Sequence, residues 1–182
     1  NIIATGFDGR LTSPDLHKAL CEGLKDSGAK VINIGMGPTP MTYFAHFHLK
    51  ADAVIMVTGS HNPSEYNGFK MVLNKHSFYA EDIQSLQKLI DQNNLKLTEG
   101  EIINQDIKKE YINRLLQNIN LNKKMKIAWD IGNGAMGAVI KEITSNLNNS
   151  DNILINEEVD GNFPNHHPDP TVPKNMEQLV KV

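Results

Sequence analysis

Ala53-Val54-Ile55-Met56-Val57-Thr58-Gly59-Ser60-His61-Asn62-Pro63 opens the stretch on which the reading of this sequence turns, and Tyr66-Asn67-Gly68-Phe69-Lys70-Met71-Val72-Leu73 closes it. The apolar run Ala53–Val57 has the length of a buried strand, not of a helix. It stops abruptly at Thr58-Gly59. Gly59 allows a ligand close to the backbone, and Pro63 keeps the strand from resuming. In open α/β sheets ligands bind beyond the carboxyl ends of the strands, where this turn belongs. The turn presents the Ser60 hydroxyl among donors: backbone N–H groups, His61 and Asn62. Such a cradle suits an anionic phosphate. Asn67-Gly68, between Tyr66 and the run Phe69–Leu73, is a hairpin signal. Two placements of Lys70 are open. It returns to the Ser60 end of the sheet, where it balances phosphate charge or moves a proton; or, in a two-residue hairpin, it faces Glu65 as a surface pair.

Working outward, Ile2–Thr5 reads as a short buried strand followed by a polar loop to Thr12. Ser13-Pro14 predicts a helix start, with Ser13 as N-cap and Pro14 at the first helical position. Leu16, Ala19, Leu20, Gly23 and Leu24 repeat at helical spacing up to a stop at Gly28. A strand at Val31–Ile34, a turn at Gly35–Pro40 and a helix at Met41–Leu49 complete the approach to Ala53. Beyond Leu73, Ile83, Leu86, Leu89 and Ile90 mark one helix, and Ile107, Tyr111, Leu115 and Leu116 another. The polar, basic stretch Asn118–Lys124 reads as a boundary. After it the pattern restarts with a strand at Lys126–Asp130, a glycine-rich turn, a helix to about Asn146 and a strand at Asn152–Ile155. A Pro/Asn/His loop from Asp160 to Pro173 then leads to an amphipathic start at Met176–Val180. Alternating strands and helices predict an α/β fold with mixed, largely parallel sheets and flanking helices, in two units, 1–120 and 121–182.

The 182 residues carry a net charge of -3, with 40% hydrophobic and 21% charged residues, as in ordinary globular chains. No basic stripe supports nucleic-acid binding. No apolar run approaches the roughly 20 residues of a membrane helix. Asn1-Ile2-Ile3-Ala4 has no leader character, and a chain that starts on a strand is expected to begin in mid-domain. Cys21 is the only cysteine, which excludes an internal disulfide and fits a reduced, cytoplasmic setting. It reads as a packed, inert thiol. Met36, Met41, Met56 and Met71 read as core fillers.

The run Thr58–Pro63 followed by Tyr66–Lys70 closely resembles the phosphoserine loop of the α-D-phosphohexomutases. Three other segments agree in order. Gly6-Phe7-Asp8-Gly9-Arg10 is similar to that family's Gly-Arg-Asp-x-Arg loop, with Phe7 in place of its first Arg. Gly35-Met36-Gly37-Pro38-Thr39-Pro40 resembles its Gly-x-x-Pro-Thr-Pro turn. Asp130–Gly137 with Val159–Pro170 resembles domain two of the bacterial phosphomannomutase/phosphoglucomutase branch. The resemblance covers nearly the whole chain. It implies reversible movement of phosphate between the 1- and 6-hydroxyls of a phosphosugar, mannose or glucose, through a hexose 1,6-bisphosphate. It also implies Ser60 as phosphate carrier, Lys70 as general acid/base and substrate contact, and His61 and Arg10 as groups that steer around the phosphoserine. Mg²⁺ would bind the Ser60 phosphate and an aspartate run that the family carries after domain two. That run would lie beyond Val182, and the family's first strand before Asn1. The chain is therefore expected to be a fragment, inactive without the remaining domains of the same polypeptide.

Other readings compete. Gly132-Asn133-Gly134-Ala135-Met136-Gly137 satisfies the dinucleotide G-x-G-x-x-G, with Glu157 some 20 residues on, so an NAD-binding domain is one alternative. A phosphoserine metal-dependent phosphatase would need more ligands than His61 and Asp8 supply. A non-catalytic phosphosugar-binding module is a third class. His166-His167 invites a metal reading, but neighbours in an extended chain point opposite ways, so an ordered loop is expected.

Overall fold

The computed structural model describes residues 1–92 and 97–182. Its first unit is a sheet of six strands. They are β1 (Ile2–Phe7), β2 (Lys30–Met36), β3 (Ala53–Val57), β4 (Phe69–Leu73), β5 (His76–Phe78) and β6 (Glu101–Asn104), in the order β5-β4-β3-β1-β2-β6. β1 runs parallel to β2 and β3, and β6 parallel to β2, while β4 and β5 are antiparallel additions at one edge. Along the chain follow the helices α1 (Ser13–Asp26), α2 (Thr39–His48), α3 (Glu81–Asp91) and, between the two sheets in sequence, α4 (Lys108–Leu116). A second, two-stranded parallel sheet pairs β7 (Met125–Asp130) with β8 (Ser150–Ile155), joined through α5 (Ile140–Ser145) and followed by α6 (Glu177–Lys181). The mixed, mostly parallel α/β architecture is the one the alternating pattern predicts.

Side chains alternate across the sheet, and each face has its own core. Ala4, Ile32, Ile34 and Val54 pack with Met41 and Ala45 of α2, with Ile107, Tyr111 and Ile112 at and in α4, and with Val139 and Ile143 at α5. One apolar cluster thus runs from the large sheet into the second unit. Val31 faces the other way, toward Cys21 of α1. Met41 and Met56 are fully buried, whereas Met36 and Met71 are half-buried.

Four local expectations need correction. The face of α1 that meets the sheet is Ser13, His17 and Cys21, while Leu16, Ala19 and Gly23 are exposed. The reason is polar. His17 Nε2 lies 3.0 Å and Cys21 Sγ 3.4 Å from Thr5 Oγ1 on β1, and the Phe7 ring packs tilted against the His17 ring. Second, Ser13 is not a cap: α1 begins on it, Thr12 holds the N-cap position, and the Ser13 hydroxyl donates to Asp8. Third, Asn67-Gly68 does not turn a two-residue hairpin. Thr58 N–H donates to Gly68 C=O, so residues 59–67 form one long connection between β3 and β4. The tight hairpin lies one strand later, where Leu73 pairs with His76 and both Asn74 and Lys75 have positive φ. Fourth, the edge strands β5 and β6 went unpredicted. Cys21 is buried as expected, and burial pushes its thiol pKa up.

Candidate active site

β1 and β3 end side by side, with Phe7 opposite Val57, and Asp8 N–H continues the pairing by donating to Val57 C=O. Gly37 N–H donates to Phe7 C=O, which brings the turn after β2 to the same edge. β7 ends at Asp130 facing these loops. Together they surround a cleft of about 480 Å³, whose walls include Ser60, His61, Lys70, Asp130, His166 and Asp169. This is the carboxyl edge of the parallel strands, as the position of Thr58–Pro63 predicts.

Ser60 is exposed and sits in the left-handed region at φ 55, a conformation that costs a non-glycine residue about 1–3 kcal/mol. The strain turns its side chain away from the strand and toward the cleft. Antiparallel pairing sets Lys70 opposite Met56, and its Nζ reaches Ser60 Oγ at 3.1 Å. Of the two placements open for Lys70, the structure has the one beside Ser60, not the pair with Glu65.

Arg10 holds this loop in shape. Its guanidinium is buried and donates to four carbonyl oxygens: Nη1 to Pro63 (2.5 Å) and Tyr66 (3.0 Å), Nη2 to Ser60 (3.0 Å) and Asn62 (2.7 Å). Nε stands 3.2 Å from Asp8 Oδ2 as an ion pair, without the alignment of a hydrogen bond. Gly59 is required here, because a Cβ would collide with the guanidinium and lie 2.5 Å from Tyr66 O. Asp8 also accepts from Ser13 Oγ (2.5 Å) and Gly59 N (3.3 Å), and Asn67 Nδ2 donates to Ser13 Oγ (2.8 Å). Arg10 therefore turns its charge to the loop's backbone instead of to the cleft.

The expected cradle of backbone donors does not form around the Ser60 hydroxyl. Gly59 N–H goes to Asp8, Ser60 N–H to Thr58 Oγ1, and the Asn62 backbone and amide N–H groups to Gly59 C=O. Among the described residues the one hydrogen-bond partner of that hydroxyl is the Lys70 ammonium. His61 lines the same cleft, where two hydrogen bonds from Thr171, and after them the nearness of His61 and His167, hold the Asp169 carboxyl below its usual range.

Across the cleft stands a pair that the sequence reading did not assign. His166 Nε2 is 2.9 Å from Asp130 Oδ2, and Nδ1 is 2.9 Å from the His167 carbonyl. His166 is thus held at both ring nitrogens within its loop. The available signal was Asp130 at the carboxyl end of a strand; its partner lies 36 residues on. The G-x-G-x-x-G turn that follows Asp130 leads into a single 3₁₀ turn, Ala135–Ala138, and then the six-residue α5, so it lacks the long helix that meets a pyrophosphate. Its last glycine is explained by packing, since a Cβ on Gly137 would collide with the Glu157 carbonyl.

Comparison with known proteins gives two family-model matches, phosphoglucomutase/phosphomannomutase alpha/beta/alpha domain I over residues 1–96 and domain II over residues 109–182. A phosphoglucomutase of Neisseria meningitidis is 43% identical over 180 residues, which are 98% of this chain and 39% of that protein. A phosphomannomutase/phosphoglucomutase of Pseudomonas aeruginosa is 42% identical over 178 residues, 98% of this chain and 38% of that protein. The crystal structure of a phosphoglucomutase/phosphomannomutase family protein from Burkholderia thailandensis matches with a TM-score of 0.92 at 36% identity, covering 100% of this chain and 41% of that one. The chain spans about two fifths of the length of these relatives.

Proposed function

Because this chain belongs to the phosphoglucomutase/phosphomannomutase family, we propose that its polypeptide interconverts hexose 1-phosphate and hexose 6-phosphate, of mannose or glucose, with Ser60 as phosphate carrier. The observation that carries this is the 3.1 Å contact from Lys70 Nζ to an exposed, strained Ser60 hydroxyl at the wall of the cleft. The sugar hydroxyl attacks phosphoserine 60. As the new P–O bond forms and the P–Oγ bond breaks, Lys70 gives a proton to Oγ, and the attacking hydroxyl loses its own to solvent. The product is the hexose 1,6-bisphosphate. After it turns over in the cleft, Ser60 Oγ attacks the other phosphoryl group and returns its proton to Lys70, and the departing sugar oxygen takes one from solvent. Proton transfer of this kind contributes about 10²–10⁴-fold, and fixed positive charge beside the moving phosphoryl group supplies much of the rest. His61 faces the same phosphate, and Arg10 serves by fixing the loop.

Among the described residues, the carboxylates nearest Ser60 are already engaged. Both Asp8 oxygens are engaged by the loop, and Asp130 accepts from Gly132 N–H and Asn156 and pairs with His166. Among the described residues no group of three or more His, Cys, Asp or Glu is placed to hold an ion. Mg²⁺ would be held by the Ser60 phosphate together with carboxylates outside residues 1–182, where it would neutralise charge on the moving phosphoryl group, and the contacts that read the sugar hydroxyls would lie in the rest of the polypeptide. Among the described residues no helix is long and apolar enough to cross a membrane.

The test is turnover of glucose 1-phosphate by the whole polypeptide. Ser60→Ala lowers it by several orders of magnitude, and Lys70→Met, which keeps the aliphatic stem, by about 10²–10⁴-fold. Normal turnover in Ser60→Ala overturns the mechanism. Full turnover in Lys70→Met removes Lys70 from it.

A further inference from the structure

Arg10 stays buried because something covers it. The ring of Phe163 lies over the guanidinium, 5.2 Å from Cζ to the ring centroid, so the group that organises the Ser60 loop is closed off by a residue of the second unit. Phe163 itself is in the left-handed region at φ 50, which for a bulky aromatic residue is a true outlier. Its surroundings impose that conformation. Phe163 N–H donates to Asp160 C=O, and Asp160 N–H to Asn133 C=O. The backbone at Gly161 lies against the Arg10 loop: a Cβ there would stand 2.7 Å from Gly9 O and from Leu11 N. The Val159 side chain fills the space that a Cβ on Gly9 would need. Two glycines, one on each loop, thus permit a backbone-to-backbone seam, and strain in Phe163 is tolerated where it brings an aromatic face onto Arg10.

From this geometry we infer that Phe163 is a positioning residue for Ser60, acting through Arg10. With water excluded, the guanidinium has among the described residues only the four loop carbonyls and Asp8 as partners, and its hydrogen bonds there are strong. The ring face adds attraction for the cation without offering a competing acceptor. Opening that side admits water to the guanidinium, and the bond to the Ser60 carbonyl, which stabilises the left-handed turn, loosens. The catalytic part of this inference rests on the function proposed above; the structural part does not.

The test uses the whole polypeptide with Phe163→Leu, which keeps apolar bulk, and Phe163→Tyr, which keeps the ring face. Two readouts are taken: hydrogen exchange of amides in the Ser60 loop against those of β7, and the rate at which Ser60 gains phosphate from glucose 1,6-bisphosphate, by intact mass. Phe163→Leu should speed exchange in the loop by about tenfold, leave β7 unchanged, and slow phosphate gain by about 10- to 100-fold. Phe163→Tyr should restore both. Wild-type exchange in the loop of Phe163→Leu overturns the inference. So does equal loosening of β7, which would mean a general structural role, and so does a Tyr variant as impaired as Leu. If wild-type Ser60 takes no phosphate, the functional reading fails, and loop exchange alone still decides the role of Phe163.

Discussion

The turn after β3 and the turn after β7 each carry a non-glycine residue in the left-handed region at φ 55, Ser60 in the first and Asn133 in the second. Both turns line the same cleft, through Ser60 on one side and Gly132 and Gly134 on the other. Ser60 is exposed, and its hydroxyl meets only Lys70 among the described residues. Asn133 is 5% exposed, and every polar group it has is taken up locally. Its N–H donates to Asn156 C=O, its amide Nδ2 to Glu158 C=O, its carbonyl accepts from Asp160 and its Oδ1 from Asn165. One backbone conformation therefore serves two ends. In the first turn the strain is carried by outside support, Arg10 and Asp8, so the side chain is left exposed at the cleft. In the second the side chain is the support, and what it supports is the loop that reaches Phe163.

That contrast can be broken by exchanging stability for chemistry at the two positions. Asn133→Ala leaves buried partners unsatisfied and puts a Cβ-bearing residue without a local hydrogen bond in the left-handed region, so it should cost about 2–4 kcal/mol and lower Tm by roughly 5–15 °C. Ser60→Ala should shift stability by less than about 1 kcal/mol while abolishing turnover. Equal thermal losses in the two variants would contradict the division of roles. A smaller effect sharpens it. Asn133→Gly keeps the conformation and loses only the amide, so about half of the loss should return, whereas Ser60→Gly should be at least as stable as wild type, because glycine relieves the cost of the left-handed region.

The smallest effect concerns the wall behind the first turn. Burial lowers the pKa of His17 from its model-peptide value of 6.5, a hydrogen bond to Thr5 working the other way. A histidine whose folded pKa is lowered takes up its proton more readily in the unfolded chain, so its contribution is present above about pH 6.5 and lost as pH falls below it. The Tm of the wild-type protein should therefore fall more steeply between pH 7 and 5.5 than that of His17→Gln. Parallel curves would show that His17 titrates no differently in the folded chain.

The same two turns show what was legible in the sequence. A strand ending in Thr58-Gly59-Ser60 and a lysine ten residues on could be read directly, because apolar period and turn chemistry are local signals. The position of Lys70 could not, since Asn67-Gly68 satisfies the rule for a tight hairpin, while the pairing of Thr58 with Gly68 and the packing of Asn67 on the start of α1 decide otherwise. The buried face of α1 was misread because Ser13, His17 and Cys21 do not register as an apolar stripe; their burial depends on Asp8 and Thr5, which lie outside the helix. β5 and β6 have three and four residues, too short for any alternation to show. Asp130–His166 and Arg10–Phe163 join residues far apart in sequence, and only the folded chain brings them together.

Ser60, and no other residue of this chain, is proposed to carry the phosphate. This is tested most directly by incubating the whole polypeptide with glucose 1,6-bisphosphate and locating the added phosphate by tandem mass spectrometry of the peptide spanning residues 51–70. One phosphoryl group is expected on Ser60 in the wild type and in Lys70→Met, and none on this peptide in Ser60→Ala. Phosphate on Thr58 or Ser64, or undiminished phosphate on the chain in Ser60→Ala, would contradict it.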